Sequence, residues 1–533
     1  MSSTFGSLTT VKLGIYAAQK GLDVTGNNIT NINTNGYTRQ RLDQVSLISG
    51  GSDRYHSQYN VRVGQGVLVN GVSQLRDPGL DISYRKSQAD VGSADSWLAG
   101  LKKLAGILDE VGKGDGEQDD GLILNQLNDL RDLINKANTN GIEGYDSLIR
   151  QSADTLCDLF NSAAKALAEL KPTFEGYLKQ DVDEINSILS QIQELNVAIR
   201  NSDIRGDEGL ELRDQRNLLL DELSQYVKID VTYSMEDVGA DTQVEKLTIT
   251  LANDPPHNHA LVDGEYSAKL LVDKNNNYGI NLYALRDADG NKQNPMATDP
   301  VGLLDNDLYG SIQSIRELLT EEGEFASTAD AAADPDAAVK RGIPYYQKAL
   351  DSLACEFAAA MNKLNNTGLA GGGNLFSNSS NSDDATGITA ANISVSQGWT
   401  NGTVSIQATD DPQAASGDTS NLSRFLALFD QKVEFDPTHI QADAAGDAYH
   451  GTFEEMLLKI QSTLAQDQKS TDAVLNNYIV TADSISVDRE GVTGVDLNDE
   501  ATSLMTYQKA YTAACRLMNV LNEALDSLIN GTV

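Results

Sequence analysis

Residues 494–533 read GVDLNDEATSLMTYQKAYTAACRLMNVLNEALDSLINGTV, and an apolar seam with heptad spacing follows this stretch. Steps of seven from Leu497 and from Glu500 mark one side of a predicted helix, and Glu500 is the charged exception. The other seam residues are apolar or aromatic: Leu497, Leu504, Tyr507, Tyr511, Ala514, Met518, Leu521, Leu525 and Leu528. Asn498 before the acidic Asp499 predicts the helix start, and Gly531 its end. Because an isolated helix with one apolar side is marginal in water, the pattern predicts a partner.

The first forty residues carry a second seam with the same spacing and are the predicted partner. Its apolar residues recur in steps of seven along two registers: Leu8, Val11, Ile15, Ala18, Leu22, Ile29 and Ile32. Residues 1–86 hold nine basic and five acidic side chains, whereas residues 491–533 hold two basic and five acidic ones. Matching heptads and opposite charge predict that the two ends pair as an α-helical coiled coil. The alternative is that each end is an ordinary amphipathic helix on an internal core.

The N-terminal seam ends in an asparagine-rich stretch, residues 21–41, which reads GLDVTGNNITNINTNGYTRQR. Helix propensity falls along the asparagines and Asn35-Gly36 is a turn dipeptide, so we predict a helix that ends in a turn. Ordering so polar an end costs about 1–2 kcal/mol per residue in backbone entropy, so we expect it to order only when packed.

The same stretch resembles the N-terminal signature of the axial proteins of the bacterial flagellum, which are rod, hook and hook-associated proteins. The family motif is carried by Asn28, Asn31, Thr34, Gly36, Tyr37 and Arg39. Thr30 stands where the family usually has Ala, and Asn35 where Pro is frequent. Residues 486–511 resemble the C-terminal motif of the same family, and residues 174–226 resemble its hook-associated members.

This resemblance implies a structural protein without enzymatic activity that joins hook to filament by self-assembly through its terminal helices. Implied partners are further copies of the chain in a head-to-tail axial assembly, the hook protein, the filament-side hook-associated protein, and a cytoplasmic export chaperone on the C-terminal helix. It also implies an extracellular location in the flagellum, reached by type III export without a cleaved signal peptide. Hook protein or another axial sibling is the alternative.

The chain has 533 residues, enough for three or four domains, and a net charge of −37 that lies almost wholly in its middle. Such acidity argues against nucleic acid and against an anionic membrane as partners. Cys157, Cys355 and Cys515 lie far apart among apolar helical neighbours, so we predict buried thiols, no disulfide framework and no metal site. No cofactor is expected, and no secretory signal or membrane-spanning run is expected either.

The predicted fold is mainly α with β-rich inserts. Residues 1–41 and 491–533 form the coiled-coil core, and a long-helix body comprises residues 42–228, 341–367 and 450–490. A β-rich outer insert covers residues 229–340, and a smaller mixed insert covers residues 368–449. Apolar spacing predicts helices over 81–110, 121–138, 142–170, 174–201, 208–226, 345–364, 452–466 and 470–487, with Pro172 opening the fourth of them. Period-two stretches at 61–63, 67–69, 227–231, 247–251 and 268–272 predict strands.

An enzyme domain carried by the inserts is the alternative from another functional class. The five histidines are scattered, with no serine, cysteine or aspartate arrangement around them. His257 and His259 lack a third metal ligand nearby, and Asp287 and Asp289 begin a loop that lacks the glycine and glutamate of a calcium site. The sequence therefore predicts no catalytic, cofactor-binding or metal-binding residues.

Overall fold

Long helices occur at both ends of the chain and through its centre. The computed structural model describes residues 4–47, 66–108, 121–239, 242–252, 259–283, 300–303, 307–334, 336–415 and 417–530; the side chains of residues 4–6 and 528 are not described. The predicted strand at 61–63, His257 and the loop with Asp287 and Asp289 lie outside these residues.

The two terminal helices lie side by side, so the predicted fold class, with its pairing of the chain ends, is confirmed. α1 spans Thr4–Thr30 and packs along α12, which spans Leu497–Asn530. The predicted start of α12 at Asn498 is wrong by two residues, because Asp496 caps the helix instead. The Asp496 Oδ1 atom accepts from the backbone N–H groups of Asn498 and Asp499 at 2.7 and 3.2 Å.

The helical body consists of long helices that bury one continuous apolar core. Its helices are α2 (Pro78–Leu108), α3 (Leu122–Asn140), α4 (Tyr145–Ile204), α5 (Leu210–Tyr226), α6 (Gly310–Thr320), α8 (Ile343–Asn365) and α11 (Phe453–Thr493). The antiparallel pair β1 (Gln40–Ser46) and β2 (Val67–Gln74) connects the end of α1 to the start of α2. The C-terminal part of α11 packs on α2, and α2 also contacts α5.

Two predicted helix breaks are wrong. The helices predicted over 142–170 and 174–201 are one helix, α4, which begins at Tyr145 and continues through Pro172. Pro172 is exposed, so the backbone carbonyl that loses its hydrogen bond faces water rather than the core. Residues 452–466 and 470–487 likewise form one helix, α11, which begins with a capping box between Thr452 and Glu455.

The first insert contains two small antiparallel sheets, as the period-two stretches predict. One has the order β3-β4-β5-β6, formed by Ile229–Asp237, Gln243–Leu251, Ala260–Asp263 and Tyr266–Ser267. The other has the order β7-β8-β9, formed by Lys269–Asp273, Gly279–Tyr283 and Val301–Leu303. The side-chain amide of Asn186 on α4 pairs with both backbone groups of Leu270 at 2.8 Å, which fixes the second sheet on the body.

The predicted range of this insert, 229–340, also includes α6, which lies in the helical body. Residues 310–319 of α6 are all buried, against α2, α4, α5 and α8. At Gly100 on α2 an added Cβ would lie 2.1 Å from the side chain of Leu318, so the two helices approach closely at this point. Burial on all sides hides the amphipathic spacing by which a helix is recognised in a sequence.

The second insert is mixed, with short helices α7 (Thr328–Ala333) before it and α9 (Gln397–Thr400) and α10 (Ser420–Asp430) within it. Its strands form two antiparallel pairs: β10 (Phe376–Ser377) with β11 (Ser394–Val395), and β12 (Val433–Phe435) with β13 (Tyr449–Gly451). Trp399 is fully buried, and its Nε1 atom donates to Asp146 on α4 at 3.0 Å. The insert is therefore fastened to the body.

Among the three cysteines, Cys157 alone is buried, while Cys355 and Cys515 are half-buried, so the predicted burial of all three is wrong for two. The Cys515 side chain lies on α12, which has one covering helix rather than a surrounding core. In the described part of the chain no helix is both long and apolar enough to span a membrane.

Candidate assembly site at the base of the terminal helices

The seam between α1 and α12 brings most of the predicted seam residues together. Val11 and Ala18 are buried, and so are Ala17 and Thr25 beside them. The half-buried members are Leu8, Ile15, Leu22 and Ile29 on α1, with Leu504, Tyr507, Ala514, Met518, Leu521 and Leu525 on α12. The most buried positions of α1 therefore follow the register of Val11 and Ala18, because small side chains allow the two helices to approach closely.

Three predicted seam residues are not covered within the chain. Ile32 follows the end of α1 at Thr30 and is 39% exposed, so the predicted extension of the helical seam to this residue is wrong. Leu497 is 53% exposed in the first turn of α12, and Tyr511 is 37% exposed further along. One covering helix cannot shield both flanks of a wide apolar stripe. The side chain of Leu528 lies outside the described residues.

Asn28 is the centre of the turn that returns the chain from α1 into β1. Its Nδ2 atom donates to the backbone oxygen of Gln40 at 2.9 Å, and its Oδ1 atom accepts from the backbone nitrogen of Gln40 at 3.0 Å. The Tyr37 hydroxyl also donates to Oδ1, at 2.8 Å. Burial raises the pKa of Tyr37 above its ordinary value, so the hydroxyl keeps its proton for this bond. A buried amide with its partners satisfied specifies one loop conformation.

The remaining motif residues shape the turn itself. The Asn31 amide donates to the backbone and side-chain oxygens of Asn27 at 3.0 and 2.8 Å, and the Thr34 hydroxyl donates to Asn31 at 3.1 Å. Gly36 has a φ of 74°, which a side chain rarely tolerates, and an added Cβ would lie 2.4 Å from Leu218 on α5. The turn therefore needs glycine at this position both for its backbone and for its packing.

Arg39 joins the N-terminal motif to the C-terminal helix. Its Nε atom donates to Glu500 on α12 at 2.8 Å, and its backbone nitrogen donates to the oxygen of Thr493 at the end of α11, also at 2.8 Å. Glu500 is buried although it is the charged exception in the seam, and Arg39 explains why. A buried carboxylate needs such a partner, because an uncompensated buried charge costs several kcal/mol.

An arginine–aspartate network lies directly beneath this pair, and sequence reasoning missed it. It comprises Arg76, Arg85 and Arg489 with Asp81, Asp214 and Asp221. Arg489 on α11 contacts Asp81 on α2 and Asp221 on α5, so three helices meet at one guanidinium group. The spacing of these residues in the sequence gives no signal, since the members are up to several hundred positions apart.

The network also holds the motif turn. The backbone nitrogen and the hydroxyl of Thr38 donate to Asp214 at 3.1 and 2.6 Å, and Thr38 is buried. Burial raises the pKa of the Asp214 carboxyl, while the two Thr38 hydrogen bonds and Arg76 act against the shift. The base of the terminal helices is thus fixed to the body by charged hydrogen bonds as well as by the packing of Gly36 on Leu218.

The potential metal ligands among the described residues do not cluster. Within these residues, no group of three or more His, Cys, Asp or Glu side chains is placed to hold a metal ion. His439 of the second insert pairs with Glu356 on α8 at 2.6 Å, in a surface ion pair between two elements.

Comparison with known proteins gives matches at both the centre and the C-terminal end of the chain. Residues 117–376 match the family model described as the flagellar hook-associated protein FlgK helical domain. Residues 492–531 match the model described as the flagellar basal body rod FlgEFG protein C-terminal region.

Individual relatives agree with these matches. Flagellar hook-associated protein 1 of Bacillus subtilis (strain 168) is 26% identical over 548 residues, which cover 100% of this chain and 99% of the relative. The protein of the same name from Escherichia coli (strain K12) is 26% identical over 267 residues, 49% of this chain and 43% of the relative. The solved structure of the flagellar hook junction protein FlgK from Burkholderia pseudomallei aligns with a TM-score of 0.40 and 20% identity, over 56% of this chain and 46% of that one.

Proposed function

Because the chain belongs to the family of flagellar hook-associated proteins, we propose that it is the structural subunit that joins the flagellar hook to the filament. The joint forms by self-assembly, with the paired terminal helices at the centre of the axial structure and the acidic inserts outside. Hook protein is not favoured as an alternative, since the helical-domain match is to a hook-associated family.

The observation that carries this proposal is the incompletely covered terminal pair. α1 covers one side of α12 and leaves large apolar side chains of α12 exposed: Leu497, Met505, Tyr511, Leu517, Val520 and Ile529. Scattered exposed apolar residues are common, but a series along one helix marks an interaction surface. Further copies of the chain cover this series when subunits pack heterologously around an axis.

The partners beyond the chain itself follow from the family. The hook protein lies on one side of the junction and the filament-side hook-associated protein on the other, and the terminal helices contact both. A cytoplasmic export chaperone binds α12 before assembly and shields its exposed apolar residues. The seam residues and the motif residues Asn28, Asn31, Thr34, Gly36, Tyr37 and Arg39 act in assembly, with the motif residues setting the turn that fixes the terminal pair to the body.

Export proceeds through the flagellar type III channel without removal of a signal peptide, and the site of action is outside the cell. The chain has no enzymatic activity in this proposal. Support comes from the scattered histidines and from the structural character of the family.

The test is genetic complementation with imaging. A strain of the source bacterium that lacks the gene is expected to build hooks, to lose filaments and to release filament protein into the medium. Expression of this chain should restore attached filaments, as seen by negative-stain microscopy. Hooks that stay without filaments although the chain is secreted at normal levels would show that the chain is not the junction subunit.

A further inference from the structure

A groove of about 1120 Å³ lies at the base of the terminal pair, and we name it the base groove. Its walls come from four separate parts of the chain: the motif turn (residues 31–38), Arg76 with Tyr84 of α2, the end of α5 (residues 218–225) and the end of α11 with its link to α12 (residues 486–496). Small-molecule pockets usually enclose about 300–1,000 Å³ and are mostly apolar. The base groove is wider, open and lined largely by polar groups, which favours a protein surface as its occupant.

The base groove combines an apolar contact with unpaired negative charge. Ile32 is 39% exposed on the motif turn, and Leu218 of α5 is half-buried beside it. Glu222 on α5 and Glu490 on α11 are exposed on two different walls, and neither has an ion pair among the described residues. The groove arginines, by contrast, are engaged with aspartates of the network below. An occupant should therefore present an apolar or aromatic group flanked by cations.

The chain itself offers such a surface on α1. Lys12, Tyr16 and Lys20 follow one another at four-residue spacing and so share one face of the helix. Tyr16 is 50% exposed, the Lys20 side chain is 45% exposed, and Lys12 is exposed, because this face points away from α12. Among the described residues Lys20 pairs with the exposed Asp23 at 3.5 Å, and an exposed pair of this kind exchanges partners at little cost.

We propose that the base groove of one copy receives the Lys12–Tyr16–Lys20 face of α1 from a second copy. A single chain cannot fill its own groove in this way. Tyr16 lies fifteen positions before Asn31, about 22 Å along the helix at 1.5 Å per residue, and α1 is held on α12. The proposal rests on the self-assembly proposed above. It adds which surfaces of neighbouring copies touch and how far one copy is shifted along the axis relative to the next.

Charge reversal on each side of this contact provides the test. The groove variant carries Glu222→Lys with Glu490→Lys, and the helix variant carries Lys12→Glu with Lys20→Glu. Lys12, Glu222 and Glu490 are exposed, and the Lys20 side chain is 45% exposed, so both variants should fold with the melting curve of the unaltered chain. A control matched to the groove variant carries Glu143→Lys with Glu194→Lys, which raises the net charge by the same amount at exposed positions of the body.

Each variant alone should fail to restore filaments in the deletion strain, because like charges then face each other at every contact between copies. Expression of both variants together should restore them. The lysine groove of one variant meets the glutamate face of the other, and the reverse contact keeps the original charges. The control variant, expressed alone, should restore filaments.

Filaments restored by either variant alone would overturn the proposal, and so would a failure of joint expression when both proteins are secreted. Neither result would contradict the proposed function as junction subunit, because that function is tested with the unaltered chain. If the unaltered chain itself restores no filaments, the proposed function fails first.

Discussion

The ring of Tyr507 on α12 lies directly against Gly21 on α1. A Cβ built on Gly21 would come within 2.5 Å of the ring atoms Cδ1 and Cε1, closer than any real Cβ contact. The glycine therefore sets the distance between the two terminal helices at this level, and the ring fills the space that the missing side chain leaves. By contrast, a Cβ built on Gly14 of the same helix would have no atom within 4 Å apart from the adjoining residues and backbone of α1 itself.

Gly21→Ala should loosen the terminal pair. The new methyl group forces the ring of Tyr507 or the helix axis to move, and overpacking of this kind costs about 1–3 kcal/mol. Gly14→Ala is the matched control, because it replaces a glycine inside the same helix without a clash and should stabilise α1 by up to about 1 kcal/mol. Amide hydrogen exchange along α1 measures both effects. Equal protection in the two variants would show that Gly21 does not set the helix spacing.

Glu500→Gln should weaken the attachment of the terminal pair to the body. The change removes the charged acceptor of the Arg39 Nε atom and leaves the partly buried guanidinium with the more distant Asp499 at 3.8 Å, which we expect to cost about 1–3 kcal/mol. Asp23→Asn removes the acceptor of the exposed Lys20 pair and should change stability by less than about 1 kcal/mol. Limited proteolysis of the monomer at the link between α11 and α12 reports the opening. Indistinguishable cleavage rates for the two variants would contradict the role given to Arg39 and Glu500.

Leu504→Asp and Leu517→Asp should separate packing within the chain from contact between copies. Leu504 is half-buried on the seam, so a carboxylate there should expose the terminal helices to protease and also prevent incorporation. Leu517 is 50% exposed on α12, so Leu517→Asp should leave the monomer resistant to protease. Its single effect should be to prevent incorporation of the chain into the flagellum. Protease resistance and filament attachment are measured for each. Attached filaments with Leu517→Asp would show that this side of α12 is not covered in the assembly.

The ion pair between His439 and Glu356 should make the stability of the second insert depend on pH. The hydrogen bond to Glu356 raises the pKa of His439 above its ordinary 6.5. A raised pKa in the folded state means that this contribution to stability is complete below pH 6.5 and is lost as the pH rises through the folded pKa. NMR titration of His439 should give this raised pKa, and Glu356→Gln should return it towards 6.5. A titration that Glu356→Gln leaves unchanged would contradict the pairing.

Asp146→Ala should release the second insert from α4. Asp146 Oδ1 accepts from Trp399 Nε1 at 3.0 Å and from the backbone nitrogen of Ile406 at 2.9 Å, and each buried donor left unpaired costs about 1–3 kcal/mol. Trp97 is the other tryptophan of the chain, so fluorescence in a Trp97→Phe background reports Trp399 alone. The emission should shift to longer wavelength. Asp146→Asn keeps an oxygen acceptor and should shift it less; equal shifts would count against this contact.

The sequence by itself determined the pairing of the chain ends, because heptad spacing and terminal charge can be read along the chain without knowledge of the tertiary contacts. The same holds for the turn at Asn35-Gly36 and for the strands of the first insert, where period two is plain. The family motifs identified the axial class, and the comparisons agree with them.

Only the tertiary structure decided how the paired ends attach to the body. Glu500 reads as an exception in a seam until Arg39 is placed beside it, and these two residues are 461 positions apart. The continuity of α4 through Pro172 depends on that residue facing water, and the place of α6 depends on burial on all sides. The base groove exists only because four separate segments meet. Spacing along a chain records the face that a helix buries, but not which charged groups from other helices meet there.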